Sequence, residues 1–137
     1  MIKVFFDTNV LFSAIYSNLE GSYPSLSVQL VLKQKIKGCI SRLVILEIEK
    51  NIISKRPEQL DLSRKLLKNF EILEDTENIF KNLPEADGIL LSTAVLNGVD
   101  VFLTGNTYDF KKLLNRKIGR TRIMTPKEFC LLPFSKS

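Results

Sequence analysis

Four carboxylates in this chain stand where surface charges rarely do. Asp7 ends an apolar run, Ile2 to Phe6, that only Lys3 interrupts. Glu47 lies inside the apolar stretch Leu43 to Ile48. Asp87 opens the helical pattern DGILLSTAVLNG, and Asp109 follows the apolar run Val101 to Leu103 by one tight loop. The chain has no histidine. That removes Ser-His-Asp and Cys-His nucleophiles and the HExxH zinc helix. Its two cysteines, Cys39 and Cys130, form no CxxC pair and no zinc set. A hydrolase built from these residues must activate water another way. Carboxylates around a divalent cation are the obvious route, because a bound cation lowers the pKa of its water. Clustered carboxylates raise each other's pKa, and Mg²⁺ or Mn²⁺ with oxygen ligands relieves that strain.

Each acid also has a bland role. Asp7 serves equally well as a helix cap, and Glu47 as a solvated face residue. Asp87, Asp109 and Glu85 suit first-turn positions, where the helix dipole favours an acid. The argument for a shared site is placement. Asp7, Asp87 and Asp109 all map to the carboxyl edge of one sheet, where open parallel sheets collect their chemistry.

The elements that must position them follow from periodicity. Ile2 to Phe6 reads as a strand buried on both faces. Helices are expected over 10–16, over 25–37 with Leu26, Leu30 and Ile36 apolar and Gly38 as the stop, and from an N-cap at Ser41 through Ile53. Another begins at Pro57. Cys39-Ile40 and Glu71 to Leu73 read as short strands, 76–82 as a helical turn, 84–97 as a helix ended by Gly98, and Val99 to Leu103 as a strand. A short helix over 108–114, a strand over 122–124 and a capping box at Thr125-Pro126-Lys127-Glu128 complete the pattern. Alternating helices and apolar strands predict a three-layer α/β/α fold with a mostly parallel sheet.

The chain's 137 residues, 45% of them hydrophobic, suit a single domain spanning 1–137. No apolar run approaches the ~20 residues of a membrane helix, and no secretory leader is visible. Unpaired thiols fit a reducing, cytoplasmic setting. Net charge is +5, which favours an anionic partner. Residues 111–127 hold seven cations and no acid. Lys111, Lys112 and Arg116, with Arg42 on an earlier helix, are candidate phosphate contacts. Tyr16, Tyr23 and Tyr108 have the chemistry to stack on bases, although packing is the commoner fate.

FFDTNVLFSA, SRLVILEIEKNI, DGILLSTAVLNGVDVFLTGNTYDF and IMTPKEF, in that order, resemble a PIN domain of the VapC-like toxin ribonuclease type. The resemblance implies an acid quartet binding Mg²⁺ or Mn²⁺ for cleavage of RNA phosphodiester bonds. It assigns Asp7, Glu47, Asp87 and Asp109 as catalytic and metal-binding residues. Asn9, Thr104 and Asn106 become polar support. Many relatives carry T-G-D where this chain has Thr104-Gly105-Asn106, so the last ligand position falls to Asp109, with Asn106 the alternative. Water as attacker implies 5′-phosphate and 3′-hydroxyl products. The resemblance also implies a small antitoxin partner. The helices at 25–37 and 43–53 offer a face for it, or for a homodimer.

Three rivals remain. A haloacid dehalogenase-like phosphatase also begins strand-then-Asp, but needs D-x-D, and the third place here is Asn9. A non-catalytic RNA-binding domain would keep the fold without a working site. A structure-specific DNA nuclease would need a helical arch, and nothing here resembles one.

Overall fold

The computed structural model describes residues 1–132. Six strands, β1 (Lys3–Phe6), β2 (Lys37–Ser41), β3 (Glu71–Leu73), β4 (Val101–Leu103), β5 (Lys117–Ile118) and β6 (Thr121–Met124), form one sheet. Its order is β3-β2-β1-β4-β6-β5. All neighbours are parallel except β5 and β6. The expected three-layer α/β architecture is therefore present.

Strand order decides where the site can be. The chain runs outward from β1 through β2 to β3, then returns to β4 on the other side of β1. The carboxyl ends of β1 and β4 thus flank the point where the winding reverses, and open sheets leave a crevice there. Asp7 and Thr104 are the first residues beyond those two ends.

Six helices cover the sheet: α1 (Thr8–Tyr16), α2 (Tyr23–Leu32), α3 (Arg42–Lys55), α4 (Leu60–Leu67), α5 (Glu85–Leu96) and α6 (Pro126–Cys130). Helices α1 to α4 and α6 pack together, while α5 lies against β4. Phe5 and Phe102, paired in register, stack at 5.7 Å between ring centroids, and Phe110 packs on Phe102 at 5.3 Å. Phe6 points the other way and meets Phe70 edge-on. Both faces of β1 are therefore core, as its unbroken apolar run requires. Cys39 is a buried thiol and Cys130 a half-buried one beside Ser27, and no disulfide joins them.

Several local expectations are corrected. Helix α2 starts earlier, because the Ser22 hydroxyl accepts from Ser25 N and Pro24 fits the first turn. It stops at Leu32, and Gln34 takes the left-handed conformation (φ 59°). Gly38 is no helix stop. It lies in β2, where a Cβ would come within 2.6 Å of the Phe70 ring. Leu26 is largely exposed, and Val28 and Val31 are the buried apolar residues of α2. Ser41 precedes α3 without a side-chain cap bond; Asp75 instead accepts from Leu43 N. Residues 76–80 form an irregular strap rather than a helical turn, and 81–82 a turn at its end. Two hydroxyls of α5 decide this, because Thr93 accepts from Thr76 N and Ser92 from Ile79 N. Residues 108–114 are successive turns rather than a helix. The capping box of α6 is present as expected.

Candidate active site

The motif Asp7-Thr8-Asn9 divides three tasks among three residues. The Asp7 carboxylate accepts from Thr8 N (2.7 Å), Asn9 Nδ2 (3.0 Å) and Thr104 Oγ1 (2.8 Å). It caps α1, so its bland role is real, yet it is 3% exposed and spends its second oxygen elsewhere. The Thr8 hydroxyl donates to Glu47, tying α1 to α3. Asn9 clamps the other side, donating to Asp7 while its Oδ1 accepts from Gly105 N (2.7 Å).

Asp87 and Asp109 form the solvent side. Asn106 Nδ2 donates to Asp109 (2.8 Å) and approaches Asp87 (3.4 Å), while its Oδ1 accepts from Asp109 N. The Thr104 hydroxyl, itself bonded to Asp7, accepts from Asn106 N. One continuous hydrogen-bond path thus runs from Asp7 through Thr104 and Asn106 to both outer acids. Phe110 is fully buried beside Asp109 and fixes its loop to the core. Truncating such a ring costs roughly 3–5 kcal/mol.

Electrostatics follow from this crowding. Burial pushes the Asp7 carboxyl up to about 6 against three hydrogen bonds that pull it down, and the nearby Glu47 charge adds to the rise. Asp87 also rises to about 6, through burial and the charges of Asp7, Asp109 and Glu47. Those causes bring all four sequence-assigned acids into one electrostatic neighbourhood.

Among the described residues, no three acids stand close enough to cage an ion as they are. The donor set still suits a hard cation in kind. It is all carboxylate and amide oxygen, with no thiol or imidazole. The Asn106 amide reaches both Asp109 and Asp87, a partial positive charge beside two carboxyls that also meet each other directly.

A cavity of about 390 Å³ opens over these acids, lined by Asp7, Thr8, Asn9, Phe12, Glu47, Lys50, Asn51 and Asp87. A PIN domain family model matches residues 3–108. This chain belongs to the PIN domain family. No curated protein matches it. Two solved structures are similar in fold. VapBC2 from Rickettsia felis, bound to a DNA fragment from its promoter, gives a TM-score of 0.65 at 17% identity, covering 90% of this chain and 98% of that one. A toxin–antitoxin complex from Klebsiella pneumoniae gives 0.63 at 24%, covering 90% and 97%.

The supporting trio Asn9, Thr104 and Asn106 all take part in the hydrogen bonds of this acid cluster. The expected phosphate contacts are more dispersed. Arg42 forms an exposed ion pair with Glu74 at 3.1 Å. Lys111 and Lys112 line a separate groove beside Asp109. Arg116 is exposed at the start of the β5–β6 hairpin. Sequence reasoning missed Thr8, Lys50 and Asn51. The last two lie three and four positions after Glu47, which puts them on its helix face.

Proposed function

We propose that this PIN domain is a Mg²⁺- or Mn²⁺-dependent endoribonuclease, the toxin of a toxin–antitoxin pair. The observation that carries this reading is the gathering of Asp7, Glu47, Asp87 and Asp109, from four distant segments, at the sheet's reversal point. Family membership and the two toxin–antitoxin structures of like fold support it.

The four carboxylates would hold the cation. When bound, it lowers the pKa of a water and offsets charge on the phosphoryl oxygens. Asp7, immobilised by three donors, sets the inner wall and presents one fixed charge. Asp87 and Asp109 face solvent and meet the substrate side. Asn106 keeps these two at a set spacing. Lys50, exposed at the cleft, offers a charge to the incoming phosphodiester. An antitoxin would have the half-exposed apolar flank of α3, Leu46 and Ile53, to cover.

The phosphatase reading loses ground on geometry. Asn9 is a clamp with both ends used, not a general acid. The decisive assay is cleavage of RNA with Mg²⁺ or Mn²⁺, leaving 5′-phosphate and 3′-hydroxyl ends. EDTA and Asp7→Asn should each abolish it while circular dichroism stays native. Undiminished cleavage by pure Asp7→Asn protein rejects the assignment. RNA binding without any cleavage selects the non-catalytic alternative.

A further inference from the structure

A second cavity, about 520 Å³, lies beside the acids and shares Asp109 with them. One wall is the end of the strap, 79–83, the other the turns 108–113. Its apolar lining comes from Phe80, Leu83 and Leu113, all partly buried. Tyr108 is 86% exposed, and its ring touches no other ring among the described residues. Lys81, Lys111 and Lys112 are exposed at the rim, and none joins an ion pair among the described residues.

Both walls are tied to acid-bearing elements. The strap is fastened to α5, the helix of Asp87, where Ser92 Oγ accepts from Ile79 N at 2.9 Å. Asn78 packs so closely on Gly88 that a Cβ there would lie 2.4 Å from its oxygen. The other wall holds Asp109 itself, anchored by buried Phe110. The groove is therefore a preformed extension of the acid site.

We infer that this groove is a nucleobase pocket: it takes one unpaired base next to the phosphate that a cation bound by Asp87 and Asp109 would hold, with Tyr108 as stacking platform. The inference rests on the ribonuclease reading for that phosphate. A flat, neutral base suits apolar side chains beside an exposed aromatic ring. The lysines suit the flanking phosphates. An acidic peptide would satisfy the lysines but would leave the apolar wall and the exposed Tyr108 ring without a flat partner. A paired base cannot enter, because its faces are stacked and its edge is occupied. Cleavage is thereby confined to single-stranded positions, and the pocket contributes to the choice of site.

The test uses short single-stranded RNAs carrying 2-aminopurine or an abasic residue at one position. Binding is followed by fluorescence with Ca²⁺ in place of Mg²⁺, and cleavage sites are mapped with Mg²⁺. Bound parent protein should quench 2-aminopurine. Tyr108→Ala should weaken binding roughly tenfold, the loss of about one stacked base, and Tyr108→Trp should restore it. An abasic residue beside the cut should slow the parent but not Tyr108→Ala. Tyr108 is exposed, so its truncation leaves the core intact, and circular dichroism checks this. Absent quenching by the parent, or equal binding and equal abasic tolerance in parent and Tyr108→Ala, overturns the pocket. Quenching that depends on Tyr108 without cleavage leaves the pocket standing and sinks the hydrolytic reading instead.

Discussion

The two edges of the sheet treat the same side chain in opposite ways. At the carboxyl edge, Asp7 and Asp87 lie among other acids, and both carboxyls are pushed up to about 6. At the amino edge, Asp100 accepts from Lys3 N at 2.8 Å and pairs with Arg120 at 3.0 Å. Those partners outweigh its burial and hold it below the usual carboxylate range. Asp100 also has a cavity beside it, lined by Lys117, Arg120 and Arg122. There the positive charge is already supplied by the chain. At the carboxyl edge none of the four acids joins an ion pair among the described residues, and the balancing charge must come from elsewhere. Stability is met at one edge and deferred at the other, which is the pattern of a functional site.

The same substitution at both edges breaks or sharpens this contrast most sharply. Asp87→Asn should lower kcat by roughly 10²–10³-fold, the scale seen when one electrostatic contributor is removed. Asp100→Asn should leave kcat unchanged and act only on stability. Steady-state cleavage of one RNA by both variants decides it. Equal losses would mean that the carboxyl edge is not special.

Next in size is the pH dependence of the cation-free protein. Asp7 binds its proton more tightly folded (about 6) than at its usual 3.8. Its contribution is therefore full below pH 3.8 and is lost as pH rises through about 6. The difference amounts to about 3 kcal/mol for this buried group. Asp87 shifts the same way and adds to the slope. Asp100 has the opposite sign, since its lowered pKa gives stability above the unfolded value that is lost on acidification. Denaturant melts in EDTA should show stability falling between about pH 4 and pH 6. Asp7→Asn should flatten that fall, and Mg²⁺ should offset it in the parent only.

Asn106 tests how the outer pair is spaced. Its amide donates to Asp109 and reaches Asp87, so Asn106→Ala removes the one donor that both carboxyls share. Divalent-ion affinity should fall about 10–100-fold, the usual consequence of losing a supporting partner. Calorimetric titration with Mn²⁺ measures it, and unchanged affinity would make Asn106 structural.

Much of this site was legible because strand ends and helix starts leave local marks. The run VFFD located Asp7, and DGILLSTAVLNG located Asp87. Asp109 and Asn106 were readable as a pair because only a few residues separate them from β4. The strap at 76–80 was not readable. Its backbone donors are satisfied by Ser92 and Thr93, hydroxyls more than a dozen residues away that look in sequence like ordinary helix positions. Tyr108 was misjudged as packing for a related reason. The turn turns Phe110 inward and leaves Tyr108 outward, and an isolated FWY count cannot tell the two apart. The β5–β6 hairpin did leave a sign, a two-residue Gly119-Arg120 connection with Gly119 at φ 59°.

The smallest expected effect lies at the quiet edge. Arg120 is 72% exposed on its side chain, and exposed ion pairs contribute about 0–1 kcal/mol. Arg120→Ala should therefore cost no more than that at neutral pH, and less in high salt, because screening already weakens the pair. The Lys3 N bond to Asp100 is untouched and still opposes its burial. Acid titration of Asp100 by NMR should show its pKa rising toward the usual value. A rise past that value would mean that burial dominates at this edge too, and the two ends of the sheet would then differ only in degree.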